Sequence, residues 1–419
     1  MSLEITIVRH ARSEGNEANL WQGQVNSPLS AGGRLQAAAL GDRLWGETFD
    51  VVVSSDLDRA GQTARAVASD PEFDAAWREM DLGEWENRSF EGVTRERPDL
   101  FEAIRNGEEV RFGATGETIP EFEHRIFAAF DRLVERLDGS GRALVVTHGG
   151  VVDVLVGRAL GRVRARRTFP IVTNTALTTF TTTPAWRDPD ALRIQTFNDA
   201  AHLGHDAGFL GRMRSEGRPV LALVRHGVTA ANQEHRIQGH SCWGLSEEGI
   251  RQAEAFARWY GSVDRVISSP TARAFETARV LAGDSEIERF DALMEMGFGD
   301  WEGLIYEDLI HQSGDPLARQ VFVEGQDLRR GRTGESFAML VDRLGAFLST
   351  VEVDPGQRTV AVSHGAAIKA VVAWVTDRGF GINDGLSTPH NAAVSHVAFS
   401  QAGPVLADFS VSPVGNHLS

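Results

Sequence analysis

The sequence is written twice. Residues 7–16, IVRHARSEGN, return as LVRHGVTAAN at 223–232. His10 and His226, Glu79 and Glu295, and His148 and His364 share one interval (226 − 10 = 295 − 79 = 364 − 148 = 216). Arg59 and Arg273 fall two short of it (273 − 59 = 214), a slip that a loop absorbs. Solenoid units are roughly 20–50 residues long, so a period this large indicates a duplicated domain rather than a repeat array. What recurs at fixed spacing is a set of Arg, His and Glu side chains, the composition of a phosphate-handling site.

At 419 residues the chain fits two domains of about 200 residues each. The expected boundaries are 1–205 for the first domain, 206–219 for a linker and 220–419 for the second. The stretch HDAGFLGRMRSEGRP at 205–219 has no counterpart and is rich in Gly and charge, whereas the domain ends correspond, His202-Leu203 with His417-Leu418 (417 − 202 = 215). So short a linker leads us to expect that the two lobes pack on each other. A net charge of −16 argues against nucleic acid and anionic membranes as partners, since both require basic surface. No apolar run approaches the roughly 20 residues of a spanning helix. One cysteine, Cys242, cannot form an internal disulfide, and MSLEITIVRH enters the first motif without an export signal, so the cytoplasm is the expected location. Of 42 basic residues only Lys369 is a lysine. With that bias an isolated arginine says little, and only arginines locked into the repeated motifs count.

In each half a short β-branched run ends in Arg-His. The segments 30–44 and 246–260 begin with a serine suited to an N-cap and continue with helical spacing. VVVSS (51–55) and VISS (266–269) read as strand then turn, followed by helices that place Arg59 and Arg273 in their first turns. ALVVTHGG and TVAVSHGA precede apolar helices. Apolar strands alternating with helices predict an α/β fold with a mainly parallel sheet covered on both faces. Ligands in such sheets sit beyond the carboxyl ends of the strands, where His10, Ser55 and His148, and likewise His226, Ser269 and His364, can converge.

Phosphomonoester cleavage without a metal needs fixed cations around the phosphoryl oxygens and an in-line nucleophile. His10 and His226 are the candidate nucleophiles, forming phosphohistidine. Arg9, Arg59 and His148, and in the second half Arg225, Arg273 and His364, are the candidate phosphate ligands. Glu79 and Glu295 are placed to protonate the leaving group and later to deprotonate water, although acidic neighbours (Asp81, Glu84 and Glu86; Asp300 and Glu302) crowd the same motif. No Asp, His or Cys cluster with metal-ligand spacing recurs, so neither metal nor cofactor is expected. Glu117 and Glu335 read as helix caps, Trp85 and Trp301 as packing anchors, and His202 and His205 as structural.

Both halves resemble the histidine phosphatase superfamily, the group that includes cofactor-dependent phosphoglycerate mutase. Four motifs in order, present twice, carry that resemblance over nearly the whole chain. It implies two tandem three-layer α/β/α sandwich domains, and it implies that Asn16 and Asn232, with the backbone near Gln22-Gly23 and Gln238-Gly239, help to bind phosphate. The first half departs from the family pattern at Ala11, where Gly227 is the usual residue, an alanine that could tighten the backbone near the phosphate. The expected activity is a phosphomonoester hydrolase acting on a small phosphorylated metabolite, with a complete set of groups in each lobe. One alternative is a phosphoglycerate-type mutase. It is disfavoured because the interval from the acid to the second histidine is compact in both halves (148 − 79 = 364 − 295 = 69), shorter than in those mutases. Another is one catalytic lobe regulated by a phospho-ligand-binding lobe.

Overall fold

The computed structural model describes residues 3–161, 172–188, 190–377, 385–401 and 403–412. The correspondence drawn for His417-Leu418 lies outside them. The chain separates into two compact units, residues 1–167 with 171–208, and residues 168–170 with 209–419.

In the first unit the strands run in the order Glu72–Phe73, Val51–Ser54, Gly141–Thr147, Leu3–Arg9, Leu177–Thr182, Arg193–Asp199. The first four are mutually parallel and the last two are added antiparallel. In the second unit the order Ile287–Arg289, Arg265–Ser268, Thr359–Ser363, Val220–Arg225, Val394–Ser400, Gly403–Val411 repeats that plan. The central strands are β-branched and buried along their length, as a sheet covered on both faces requires.

Helices Ala31–Arg43 and Asp58–Val67 bring Leu40, Ala60 and Ala64 against Val8, Leu144, Val146 and Leu177. Helices Ile119–Arg136 and Gly149–Ala159 bury Phe122, Ile126, Phe130, Val151 and Leu155 and form the other layer. Ser30 and Ser246 cap their helices, each accepting the N–H three residues on, from Gly33 and Gly249.

The stretch read as a linker corrects that expectation in part. Gly208–Ser215 is a helix whose Leu210 and Met213 pack with Val220, Ala398 and Ala407, so its periodic apolar residues join the core of the second unit. The Gly content and charge of the stretch hid this helical spacing.

Candidate active site

Each nucleophile candidate stands one residue past a central strand. His10 follows Leu3–Arg9, and its backbone N–H donates to Thr147 O at 2.8 Å, locking it to the neighbouring strand end; His226 donates to Ser363 O at 3.0 Å. The side chains are oriented by their own chain. Nδ1 of His10 lies 2.7 Å from Ala11 O, and Nδ1 of His226 lies 2.8 Å from Gly227 O. A carbonyl can only accept, so Nδ1 carries the proton and Nε2 keeps its lone pair.

His148 and His364 open the helices Gly149–Ala159 and Gly365–Val375 and present their rings edge-on to the first histidines, with centroids 5.1 and 5.2 Å apart. Their Nε2 atoms meet Ser55 Oγ at 2.8 Å and Ser269 Oγ at 2.9 Å. All four rings are buried. Burial first, and the adjacent arginines second, hold each of them well below the ordinary histidine value, so they are neutral at physiological pH.

The arginines are pinned to backbone rather than to acids. Arg59, buried in the first turn of its helix, donates to Val25 O at 2.8 Å and Gly23 O at 2.7 Å; Arg273 donates to Ser241 O and Gly239 O at 3.0 and 2.7 Å. Arg9 donates to Val172 O, and Arg225 to Pro389 O at 2.6 Å. Burial pulls Arg59 and Arg225 down to about 10, still cationic at neutral pH. Nε of Arg9, Arg59 and Arg225 and Nδ1 of His148 and His364 are buried polar atoms with no partner. Leaving such a group unsatisfied costs about 1–3 kcal/mol. Several together, beside guanidinium groups whose Nη atoms are held by carbonyls, make a preorganised cradle suited to an anion.

Glu79 and Glu295 face the same cradle, held by the helix that begins after the second histidine. Glu79 accepts from Met80 N at 2.9 Å and Gly150 N at 3.0 Å. A Cβ on Gly150 would lie 2.2 Å from the Glu79 carboxylate. The second lobe has Ala366 at that place, and there the carboxylate of Glu295 spans two amides instead, Ala366 N at 3.2 Å and Ala367 N at 3.1 Å, besides Met296 N at 2.9 Å.

Asn16 and Asn232 close capping boxes with Ser13 and Thr229. Their Oδ1 atoms accept from Ser13 N and Thr229 N, both at 3.1 Å, so the amide NH2 is the group left to offer a phosphate oxygen. Gln22 and Gln238 brace the same turns by accepting from Ser13 Oγ and Thr229 Oγ1. The Ala11 methyl points into an apolar cluster with Leu29 and Ala37 rather than toward the cradle.

Three pairs of site residues escaped the sequence reading. Asn174 and Asn391 donate to His10 O and His226 O at 2.8 and 2.9 Å. Thr63 and Thr277 accept from Ala11 N and Gly227 N. Arg125 and Arg343 grip the segments that carry Glu79 and Glu295. Each pair recurs close to the interval of the duplication, which was the available signal. Glu117 and Glu335 are not the caps they were read as: Thr118 and Ser336 cap the helices, and the two glutamates pair with Arg125 and Arg343. Trp85 and Trp301 are buried, Trp85 stacking on Phe101 and Trp301 packing on Phe322. His202 reaches Thr175 Oγ1 at 2.9 Å. Among the described residues no group of three or more His, Cys, Asp or Glu could hold a metal ion, and no helix is long and apolar enough to cross a membrane.

The family model described as Histidine phosphatase superfamily (branch 1) matches residues 5–195 and 221–412. The probable phosphoglycerate mutase GpmB of Salmonella choleraesuis is 34% identical over 163 residues, covering 38% of this chain and 75% of that one. Similar solved structures include phosphoserine phosphatase from Entamoeba histolytica in complex with 3-phosphoglyceric acid (30% identity, 46% of this chain and 98% of that one, TM-score 0.41). A putative alpha-ribazole-5'-P phosphatase from Escherichia coli is 28% identical, covering 46% of this chain and 95% of that one, with a TM-score of 0.40.

Proposed function

Because the chain belongs to the histidine phosphatase superfamily, occurring in it twice, we propose that both lobes are phosphomonoester hydrolases working through a phosphohistidine. The observation that carries this reading is the unprotonated Nε2 of His10 and of His226, each beside two arginines and a second histidine.

In the first step Nε2 attacks phosphorus and the ester P–O bond breaks. Glu79 or Glu295 gives its proton to the departing oxygen. Positive charge developing on the imidazole is met by the carbonyl of Ala11 or Gly227, already hydrogen-bonded to Nδ1. Arg9, Arg59 and His148, or Arg225, Arg273 and His364, hold the phosphoryl oxygens, and Asn16 or Asn232 adds an amide donor. In the second step the carboxylate takes a proton from water, the oxygen attacks phosphorus, and the P–N bond breaks to regenerate neutral histidine and free phosphate. No step calls on a metal or cofactor. The substrate is a small phosphorylated metabolite, and the protein works in the cytoplasm.

The test is a panel of phosphorylated metabolites presented to the full chain, with inorganic phosphate measured against product. Stoichiometric phosphate release is expected. Phosphate moved between substrate positions without release would identify a mutase, and saturable binding without turnover would identify a phospho-ligand-binding module.

A further inference from the structure

The guanidinium of Arg125 spends all five of its N–H donors on one task. Nε and Nη2 form a fork onto Glu117, at 2.8 Å to Oε1 and 2.7 Å to Oε2. Nη1 donates to Ala76 O at 2.9 Å and Arg78 O at 3.0 Å, and Nη2 donates to Glu79 O at 3.1 Å. Glu117 completes the ring by accepting from Asp81 N at 2.9 Å. Residues 76–81, with Glu79 among them, are therefore tied at four backbone atoms to one arginine–glutamate pair. The second lobe repeats the whole pattern. Arg343 holds Glu335 at 3.0 and 2.8 Å and donates to Ala292 O, Met294 O and Glu295 O at 2.9, 3.0 and 3.2 Å, while Gly297 N donates to Glu335 at 2.9 Å.

We propose that Arg125 with Glu117, and Arg343 with Glu335, are positioning residues that fix the proton-transfer carboxylates of Glu79 and Glu295 against the helix N-termini Gly149–Ala159 and Gly365–Val375. The 76–81 segment is mostly irregular, with only the short 3-10 turn Ala75–Trp77 at its start, so the sheet does not set its path. A carboxylate in such a loop gains its precision from whatever binds the loop's carbonyls, and a misplacement of about 1 Å is enough to cost about 100-fold in rate. A lysine offers three donors without a planar fork and cannot replace this pattern. The pair touches no reacting atom, and its effect passes entirely through the glutamate. The proposal rests on the reading of Glu79 and Glu295 as the acid and base.

The test uses the full chain with His226→Ala, so that the first lobe alone turns over, and follows enzyme phosphorylation in single-turnover mixing, normalised to active sites. Two substrates are compared: an alkyl phosphate, whose alkoxide must be protonated on leaving, and p-nitrophenyl phosphate, whose phenolate need not be. Glu79→Gln is the reference and is expected to lose far more rate on the alkyl ester. Arg125→Ala and Glu117→Gln should copy that selectivity, falling about 10- to 100-fold on the alkyl phosphate and less than about 3-fold on p-nitrophenyl phosphate. If Arg125→Ala does not fold, Glu117→Gln, which keeps the shape of the side chain, is decisive. Equal losses on both esters, or no loss on either, overturn the proposal. If Glu79→Gln itself shows no leaving-group selectivity, the acid assignment fails instead, and the positioning role falls with it.

Discussion

Nε of Arg273 lies 3.3 Å from Nε2 of His226 with its hydrogen directed at the ring nitrogen. Arginine is always a donor, so Nε2 is an acceptor, in agreement with the proton that Gly227 O holds on Nδ1. Two independent partners thus define the tautomer with a lone pair on the atom that would attack phosphorus. Burial first, and the same arginine second, keep the ring neutral by raising the cost of a second proton.

The first prediction concerns division of labour. His10→Ala should abolish turnover in the first lobe and leave the second intact, and His226→Ala should do the reverse, with the double variant down at least about 1000-fold on every substrate. Residues 84–100 (EWENRSFEGVTRERPDL) and 300–316 (DWEGLIYEDLIHQSGDP) differ between the lobes, so each single variant should change the substrate profile on a metabolite panel. If His10→Ala changes no substrate's turnover while His226→Ala abolishes all of it, the first lobe is a binding module.

Acid sensitivity follows from the buried rings. His10, His148, His226 and His364 have native pKa values well below the ordinary 6.5, burial being the largest cause in each. Below about pH 6.5 the unfolded chain binds protons at these positions that the native state does not. Stability therefore falls as pH drops from 6.5 toward 5, by up to about 1.4 kcal/mol per pH unit for each ring. Urea midpoints at pH 7.5, 6 and 5 should decline, and His148→Asn should flatten the decline. Midpoints independent of pH over that range would contradict the assignment.

The lobes should respond differently to one methyl group. A Cβ on Gly227 would lie 2.3 Å from the backbone oxygen of Gly249, whereas Ala11 is accommodated beside Leu29 and Ala37. Gly227→Ala should cost about 1–3 kcal/mol and depress the activity of the second lobe, because the backbone at His226 must shift. Ala11→Gly should cost only about 1 kcal/mol. Thermal melts with activity measured in the His10→Ala background check this, and an unaltered Gly227→Ala would refute it.

Chelation should have no effect. Arginine and histidine meet the phosphate charge in this account, so turnover should persist in excess EDTA. Loss of activity restored by Mg²⁺ or Zn²⁺ would require a different mechanism.

The duplication made much of this legible. His10, Glu79 and His148 stood out because each recurs at one and the same interval, and the placement of the two histidines past strand ends follows from apolar runs that only a doubly covered sheet tolerates. Asn174, Thr63 and Arg125 also recur, yet they were passed over because their work is to hold backbone atoms of distant segments, a role that local spacing does not encode. Glu117 was misread for the same reason. It precedes a helix, which suggests a cap, but Thr118 already fills that position with Glu121 in a capping box, freeing Glu117 for Arg125. The helix Gly208–Ser215 was hidden by glycines at and near its start, residues that read as linker rather than helix.

The central claim is a covalent phosphohistidine in both lobes, and trapping tests it most directly. Full-length enzyme mixed briefly with labelled substrate and quenched should carry acid-labile, base-stable phosphate on His10 and His226, with His10→Ala and His226→Ala each removing one of the two. Phosphate on serine or aspartate, or no covalent species under single-turnover conditions that release product, would contradict it.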